Sequence, residues 1–170
     1  FRGFLRWCSA QPAYRSMVDR DAGRAASILE SLPQVRKRTD CLEAAQLPAW
    51  FAGLQKLGNR TAGVYLTALL LTGARREEMA ALKWSDVDFQ WSKLTIADKV
   101  DATRTIPLTP YLAQQIAMLP RTNAFVFASG SKSGRISDIR GSHAKVLQDA
   151  SITTKLTLHG LRRSFSLLGE

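Results

Sequence analysis

The chain has 170 residues, of which 45% are hydrophobic and 22% charged, a balance typical of a globular domain. Lysines and arginines exceed acidic residues by 24 to 14, and the resulting net charge of +10 favours a polyanionic partner. Cys8 and Cys41 lack the spacing of a zinc site or a disulfide framework, which indicates a reducing cytoplasm. No apolar run approaches the roughly 18 residues of a membrane span and no signal peptide opens the chain, so we expect no membrane association.

Residues 1 to 39 are predicted to be a separate piece that precedes the main domain. The stretches "FRGFLRWCSAQPAY" and "RDAGRAASILESL" carry apolar residues at helical spacing, and the segment from Pro33 to Asp40 is typical of a linker. Its consecutive cations are candidate contacts to a phosphate backbone, although a solvated loop explains them equally well. They are Arg36, Lys37 and Arg38. Because the chain starts with Phe1 and its last residues form an amphipathic run without a stop signal, we expect both ends to be cuts.

From Leu42 onward the pattern is mainly helical. The stretch "LPAWFAGLQKLG" places Trp50, Leu54 and Leu57 on one stripe, which predicts a helix with a buried face. The stretch "RTAGVYLTALLLTG" is apolar nearly all round, so we expect a buried helix that ends at its last glycine. The segment "REEMAALKW" then restarts a helix with acidic residues in its first turn. Trp50 and Trp84 are predicted to pack in the core.

In the middle of the chain, the spacing of apolar residues changes from a helical to an alternating pattern. The segments "KLTIAD" and "TRTIPL" are short, alternating and β-branched, which predicts two strands of a hairpin or small sheet. Thr109 and Pro110 then supply the cap and the first position of a helix. The segment "GSKSGR" predicts a mobile loop, a helix follows over roughly Ile139 to Ala150, and the last element begins near Thr157. The expected fold is mainly α with a small antiparallel β-sheet (α+β).

Motif searching excludes three classes of enzyme and leaves a set of cations. The sequence has no GxxxxGK[ST], no paired-histidine zinc motif and no GxSxG, so nucleotide hydrolysis, metalloproteolysis and serine hydrolysis lack their minimal tools. Arg75 follows a buried helix and a glycine turn, and Lys99 ends a predicted strand. His159 and Arg162 are three residues apart and therefore share a helical face. Taken singly, a surface ion pair between Arg75 and Glu78, or a structural histidine beside an arginine, explains these residues too.

The combination resembles the catalytic domain of the tyrosine recombinases, the phage integrase family, in particular integrases of prophages and genomic islands. The resemblance rests on "TGARREEMAALKWSDVDF", a hairpin lysine and "LHGLRRSF", in that order. It extends from about Asp40 to the end of the chain. The motifs GxRxxE, LxWxDVD and HxxR carry it most strongly. It implies a DNA breaking-rejoining fold over residues 40–170, preceded in residues 1–39 by the end of a core-binding domain and a linker. It also implies double-stranded DNA as partner, no cofactor or metal, and a homotetramer on DNA, with this chain alone monomeric.

Carried over residue by residue, the resemblance assigns four catalytic positions: Arg75, Arg162, Lys99 and His159. Glu78 matches the acid that supports the first motif, and Lys93 is an alternative for the hairpin lysine. Arg76 and Arg163 are further candidates for contacts to the DNA backbone. In the family, a tyrosine hydroxyl attacks a phosphodiester to give a 3′-phosphotyrosine. Two arginines then stabilise charge on the non-bridging oxygens, lysine protonates the 5′-oxygen, and histidine takes the tyrosine proton or binds the phosphate.

The nucleophile itself is expected outside this sequence. The family's tyrosine follows the second arginine by some tens of residues, after a further His or Trp motif, and the chain ends at Glu170. Its tyrosines all precede Arg162: Tyr14, Tyr65 and Tyr111. We therefore expect the chain as given to bind and orient a phosphate without cleaving DNA.

Two alternatives to the recombinase interpretation stay open. One is a helical DNA-binding module in which the cations only contact phosphates, so that Arg75→Ala costs a modest share of affinity and lowers the salt slope by about one. The other is a type IB topoisomerase, which shares the chemistry but relaxes supercoils without a specific site. In an intact recombinase, by contrast, Arg75→Ala or Arg162→Ala is expected to leave most of the DNA affinity and to abolish strand cleavage. His143 matches none of these motifs and is predicted to be structural.

Overall fold

The computed structural model describes residues 2–19, 21, 40–97 and 103–169, and the chain divides into two compact units, Phe1–Arg38 and Thr39–Glu170. In the first unit, helix α1 covers Arg2–Ala10, as its apolar spacing predicted. The Trp7 ring lies between those of Phe4 and Tyr14, with centroids 6.4 and 6.3 Å away. Apart from Asp21 and Asp40, the second helical pattern and the basic linker, with Arg36, Lys37 and Arg38, lie outside the described residues.

The second unit is mainly helical, as predicted. Its described elements are helices α2 (Leu47–Gln55), α3 (Arg60–Thr72), α4 (Arg76–Ala80), α5 (Pro110–Ala117), α6 (Arg140–Asp149) and α7 (Leu158–Leu168), and strands β1 (Val87–Asp88), β2 (Lys93–Ala97) and β3 (Thr103–Pro107). Short 3-10 helices occupy Ala44–Gln46 and Trp84–Asp86. Within the described ranges, no helix has both the length and the apolar character needed to cross a membrane.

Helix α3 lies at the centre of the core. Ten of its thirteen residues are buried, and α4, α5, α6 and α7 all pack against it. Asn59 caps its start by accepting a hydrogen bond from the Ala62 N–H at 3.0 Å. At the other end, Gly73 takes the left-handed conformation with φ +58°, and its N–H donates to the Leu69 carbonyl at 3.1 Å. A buried helix therefore fixes the backbone from which the next segment leaves.

The strands form an antiparallel sheet in the order β1-β2-β3. The hairpin of β2 and β3 is confirmed, with Leu94 opposite Ile106 and the Leu94 and Ile96 side chains buried. Strand β1 was missed, because two residues are too few to show an alternating pattern. Residues 98–102, which join β2 to β3, lie outside the described residues, and Lys99 is among them.

The predicted boundaries of α5 and α6 agree with the structure, whereas α4 ends at Ala80, short of the predicted "REEMAALKW", and α2 ends at Gln55, before Gly58. Thr109 caps α5 by accepting from the Leu112 N–H at 3.3 Å, with Pro110 as the first helical residue. Helix α6 lies within the range predicted for it. The "GSKSGR" segment forms a tight turn with Gly134 at φ +71°, and the Ser131 hydroxyl donates to the Arg135 carbonyl at 2.7 Å. Its mobility stays a prediction.

The two predicted core tryptophans differ in burial. Trp50 is fully buried, as expected. Trp84 is only partly buried, although it packs against the core, and its ring carries the Arg121 guanidinium 4.5 Å from the centroid. Both tryptophan rings therefore contribute to the packing of the core.

Helix α7 is joined to the beginning of the second unit through Asp40. The Thr157 hydroxyl, at the cap of α7, donates to Asp40 Oδ2 at 2.6 Å, and Arg163 forms a salt bridge with Oδ1. The hydrogen bond from Thr157, and the attraction of Arg163, outweigh burial and hold the pKa of Asp40 below its ordinary value. The Leu42 N–H also donates to the buried hydroxyl of Ser164 at 2.7 Å. The helix that carries the second motif is thus fixed at several points.

Gly160 lies where α7 passes closest to Asp40. A Cβ at this position would collide with the Asp40 carbonyl oxygen and lie 2.8 Å from Leu156 Cδ1. The Asp40 carbonyl oxygen belongs to backbone that is already hydrogen-bonded to α7. Neither the Asp40 backbone nor α7 can therefore shift freely to make room for a Cβ.

We expect Gly160→Ala to destabilise the chain by about 1–3 kcal/mol, because overpacking forces backbone shifts. Gly141→Ala is the matched control: Gly141 also lies in the first turn of a helix, but nothing is within 4 Å of its Cβ position. Alanine is the better helix former by up to ~1 kcal/mol, so this variant should be equally or more stable. Urea unfolding followed by circular dichroism measures both, and equal stabilities of the two variants would contradict the close approach.

Candidate active site

Arg75 is the N-cap residue of α4, and its position follows from the end of α3. After Gly73, the buried Ala74 donates its N–H to the Thr72 hydroxyl at 3.2 Å. Arg75 is then extended, with φ −72° and ψ 147°. Its side chain, 45% exposed, therefore leaves from a backbone fixed by the core.

Glu78 holds Arg75 from the first turn of α4, and its side chain is only 8% exposed. Its Oε1 accepts from Arg75 Nη1 at 2.5 Å, and its Oε2 accepts from the Arg75 backbone N–H at 3.0 Å. Oε2 also accepts from Arg104 Nη2 at 2.7 Å. Burial alone would raise the pKa of Glu78, but the hydrogen bonds from Arg75 and the charge of Arg104 outweigh it and lower this pKa. The carboxylate therefore stays ionised at neutral pH.

Arg104 was missed by sequence reasoning. It lies in β3 with its side chain 35% exposed, and its Nε is buried without a hydrogen-bond partner. The alternating pattern of "TRTIPL" held the signal, because Arg104 is two residues before Ile106 and shares its inward face. An arginine on the inward face of a strand needs an acidic partner, and Glu78 is that partner.

The second motif lies on α7. His159 is exposed, and Arg162 is partly buried, with an Nη1 that has no hydrogen-bond partner. One turn beyond Arg162, Phe165 packs on the end of α3: a Cβ on Gly73 would lie 2.5 Å from Phe165 Cδ1. Because residues three apart share a helical face, this packing brings the face of Arg162 to the segment that carries Arg75.

Two candidates for DNA-backbone contacts have acidic partners within the protein. Arg76 Nη2 lies 2.7 Å from Glu77 Oε1, and the Arg76 carbonyl accepts from the Tyr65 hydroxyl at 2.7 Å. Arg163 is held by Asp40 and is mostly buried, which gives it a bracing role between α7 and the start of the unit. Contacts of either residue to DNA stay predictions.

The lysine of the predicted site is not located. Lys99 lies outside the described residues. The alternative, Lys93, begins β2 at the end remote from residues 98–102, and its Nζ lies 3.4 Å from Asp88 Oδ2.

Three further side chains, which the sequence did not predict to be site residues, have partners within the protein. Tyr65 is fully buried, and burial raises its pKa well above the ordinary value. The Tyr111 ring stands edge-on to Phe51 at 6.2 Å. His143 is buried with Nε2 3.0 Å from the Leu156 carbonyl oxygen, and burial lowers its pKa, which agrees with a structural role. Across the described ranges, no group of three or more His, Cys, Asp or Glu side chains stands close enough to hold a metal ion.

This fold, with its two arginine segments, defines the class of protein: a tyrosine recombinase catalytic domain. The model of the phage integrase family matches residues 41–167, and the chain therefore belongs to that family.

The similarity of this chain to known proteins supports this assignment. The prophage integrase IntF of Escherichia coli strain K12 is 41% identical over 177 residues, which cover 99% of this chain and 38% of IntF. Tyrosine recombinase XerC of Pediococcus pentosaceus is 29% identical over 127 residues, or 67% of this chain and 41% of XerC. The solved structure of XerH recombinase bound to difH substrate shares the fold, with a TM-score of 0.64, 18% identity, and coverage of 78% of this chain and 43% of XerH. The chain thus spans about two fifths of the curated relatives' length.

We expect Glu78→Gln to destabilise the chain by about 1–3 kcal/mol at neutral pH, since an uncharged amide cannot balance two arginines. Because the pKa of Glu78 is lower in the folded chain, its contribution is complete above the ordinary value of 4.5 and is lost as the pH falls through the folded-state value. The difference between wild type and variant should therefore shrink below that pH. Glu77→Gln is the control, because this neighbouring carboxylate is 63% exposed and a surface pair contributes little. Denaturant unfolding between pH 3 and pH 7 (roughly the acidic range of carboxylates) measures both, and a difference that does not vary with pH would contradict this account.

Proposed function

We propose that this chain is the catalytic part of a site-specific DNA recombinase that cleaves and rejoins DNA through a 3′-phosphotyrosine intermediate. The observation that supports the proposal is the packing of Phe165, one turn after Arg162, against Gly73, two residues before Arg75, at one end of α3. Arg75 is braced there by Glu78, and Arg162 brings a buried Nη1 without a hydrogen-bond partner. Buried donors are normally satisfied, so the unsatisfied Nη1 of Arg162 supports an oxyanion ligand at this position.

The proposed chemistry divides among the candidate residues by type. Arg75 and Arg162 bind the non-bridging oxygens of the scissile phosphate, because guanidinium groups stay charged and offer paired donors. His159, exposed one turn before Arg162, takes the tyrosine proton or donates to the phosphate. Lys99, in the connection between β2 and β3, protonates the departing 5′-oxygen. The covalent bond conserves the energy of the phosphodiester, so rejoining needs no nucleotide.

We further propose that the attacking hydroxyl belongs to a tyrosine other than those of this chain. Tyr65 is buried and its hydroxyl already donates to the Arg76 carbonyl, so its ionised form is strongly disfavoured. Tyr111 packs on α2 through Phe51, and Tyr14 belongs to the first unit. Because the chain covers 38% of IntF, the complete gene product is the form in which activity should be measured.

Double-stranded DNA is the proposed substrate, bound by a homotetramer in the cytoplasm. The net charge of +10 supports a polyanionic partner, and XerH was solved bound to its difH substrate. The first unit is proposed as the end of a core-binding domain, with Arg36, Lys37 and Arg38 as backbone contacts. The start of the family match at residue 41, close to the unit boundary, supports this division.

We predict that the complete protein forms an SDS-resistant covalent adduct with nicked duplexes drawn from the DNA flanking its gene. Arg75→Ala and Arg162→Ala should each lower the rate of adduct formation by about 10²-fold or more, because each removes donors to the transition state. DNA affinity, measured by gel shift, should change far less. Mapping of the adduct should identify a tyrosine outside the three in this chain.

Arg60→Ala is the matched control for these variants. Arg60 begins α3, whereas Arg75 follows its other end, and its Nη2 lies 3.0 Å from Met118 Sδ. This variant should retain adduct formation. Tight salt-sensitive binding without any adduct would instead indicate a DNA-binding module, and relaxation of supercoiled DNA regardless of sequence would indicate a topoisomerase.

A further inference from the structure

Asp40, at the start of the second unit, binds two residues of helix α7 and its cap through one carboxylate. Its Oδ2 accepts a hydrogen bond from the Thr157 hydroxyl at 2.6 Å, and its Oδ1 forms a salt bridge with Arg163. These partners follow Asp40 by 117 and 123 positions in the sequence. The Asp40 side chain is only 17% exposed, so water and salt screen its contacts weakly. The carboxylate thus connects the beginning of the unit to the helix that carries the second motif.

We propose that Asp40 is a positioning residue of the recombination reaction, which holds α7 where the Arg162 guanidinium reaches the scissile phosphate. The inference rests on the proposed function. Asp40 itself is assigned no contact to DNA, because its negative charge would repel a phosphate. It acts through Thr157 and Arg163, which it binds directly.

The cap of α7 gives the first reason. The Thr157 hydroxyl donates its single hydrogen to Asp40 and accepts from the Gly160 N–H at 3.0 Å. By binding that hydrogen, the carboxylate turns the oxygen of Thr157 toward the helix backbone. A negative charge beside the first turn also favours the positive end of the helix dipole. Asp40 therefore fixes the position of the first turn of α7.

A second set of contacts fixes the rotation of α7 about its axis. Arg163 lies six residues after Thr157, which is about 9 Å along a helix. Next to Arg163, the buried Ser164 hydroxyl accepts from the Leu42 N–H at 2.7 Å. A helix held at one point can turn about that point, whereas a helix held at two points cannot. Because Arg162 directly precedes the two anchored residues, its direction is fixed with theirs.

Arg162 gives the third reason, because its guanidinium depends on the helix for its placement. Its Nη1 is buried and has no hydrogen-bond partner among the described residues. Arg75, by contrast, is held through its own side chain by Glu78 at 2.5 Å. A misplacement of about 1 Å can slow a reaction by about 10²-fold. A brace on the backbone of α7 is therefore a means of aligning Arg162 with its ligand.

The test uses the complete protein and the duplex on which the wild type forms its covalent adduct. Asp40→Asn keeps the shape of the side chain, but it removes the charge and presents an amide N–H to one of the two donors. The adduct-forming rate at saturating DNA should fall by about 10-fold or more, because a displaced Arg162 costs rate. The DNA dissociation constant should change by less than about threefold, as expected for a residue that does not touch DNA.

Asp138→Asn is the matched control. Asp138 also binds an arginine, with Oδ2 2.7 Å from Arg140 Nη2, and it also contacts the start of a helix, through the Arg140 N–H at 3.0 Å. That helix is α6, which carries none of the proposed catalytic residues. The control should therefore retain the wild-type rate, and thermal unfolding of both variants is measured alongside.

A double-mutant cycle with Arg162 separates positioning from a general loss of folded protein. If Asp40 acts through Arg162, then adding Asp40→Asn to Arg162→Ala should lower the rate by less than about threefold further, because coupled residues are not additive. A loss of folded protein would instead lower the rate by the same factor in both backgrounds. If Asp40→Asn does not fold, Thr157→Val takes its place, and Thr157→Ser, which keeps the hydroxyl, should recover most of the rate.

The outcomes are distinguishable. Wild-type adduct formation with an unchanged rate in Asp40→Asn, or with an undiminished loss in the Arg162→Ala background, would overturn the role of Asp40 and leave the proposed function intact. A loss of DNA affinity equal to the loss of rate would assign Asp40 to DNA binding and also overturn the inference. Absence of any wild-type adduct would overturn the proposed function, and the role of Asp40 with it.

Discussion

A carboxylate that is 8% exposed sits between two guanidinium groups, and the candidate site depends on this arrangement of Glu78, Arg75 and Arg104. Removing a carboxylate from water costs several kcal/mol, and only good geometry with satisfied oxygens offsets that cost. Here both oxygens are occupied, one of them also by a backbone N–H. The arrangement is therefore rigid, and it fixes the arginine that the proposed chemistry requires.

The rest of the second unit holds the segment of the first motif, after α3, and the helix of the second motif, α7. Helix α3 is buried almost completely and ends in a left-handed glycine, Gly73, directly before the first motif. Helix α7 packs along α3 and is fixed by Asp40 and by the close approach at Gly160. Family membership in the phage integrases is established, and the proposed DNA cleavage explains why such polar braces surround the end of an apolar helix.

Local patterns predicted most of the fold, because helices and strands have different periods and Gly73, Thr109 and Thr157 mark their ends. The motif residues could be found for the same reason, since GxRxxE and HxxR are local. Contacts between residues far apart in the sequence could not be predicted in this way. Arg104 finds its partner 26 residues earlier, and Arg163, predicted to face DNA, binds Asp40 across 123 residues. The sequence around Asp40 predicts only the end of a linker, because nothing in its neighbourhood reveals a partner so far along the chain.

The measurement that tests the central claim most directly replaces the scissile phosphate with an uncharged methylphosphonate and compares wild type with Arg75→Ala. If Arg75 acts by neutralising the charge on a non-bridging oxygen, then removing that charge from the DNA should remove most of the variant's defect in cleavage rate. An equal defect of Arg75→Ala on phosphate and on methylphosphonate DNA would contradict the account, since Arg75 would then be needed for something other than the charge of the phosphate.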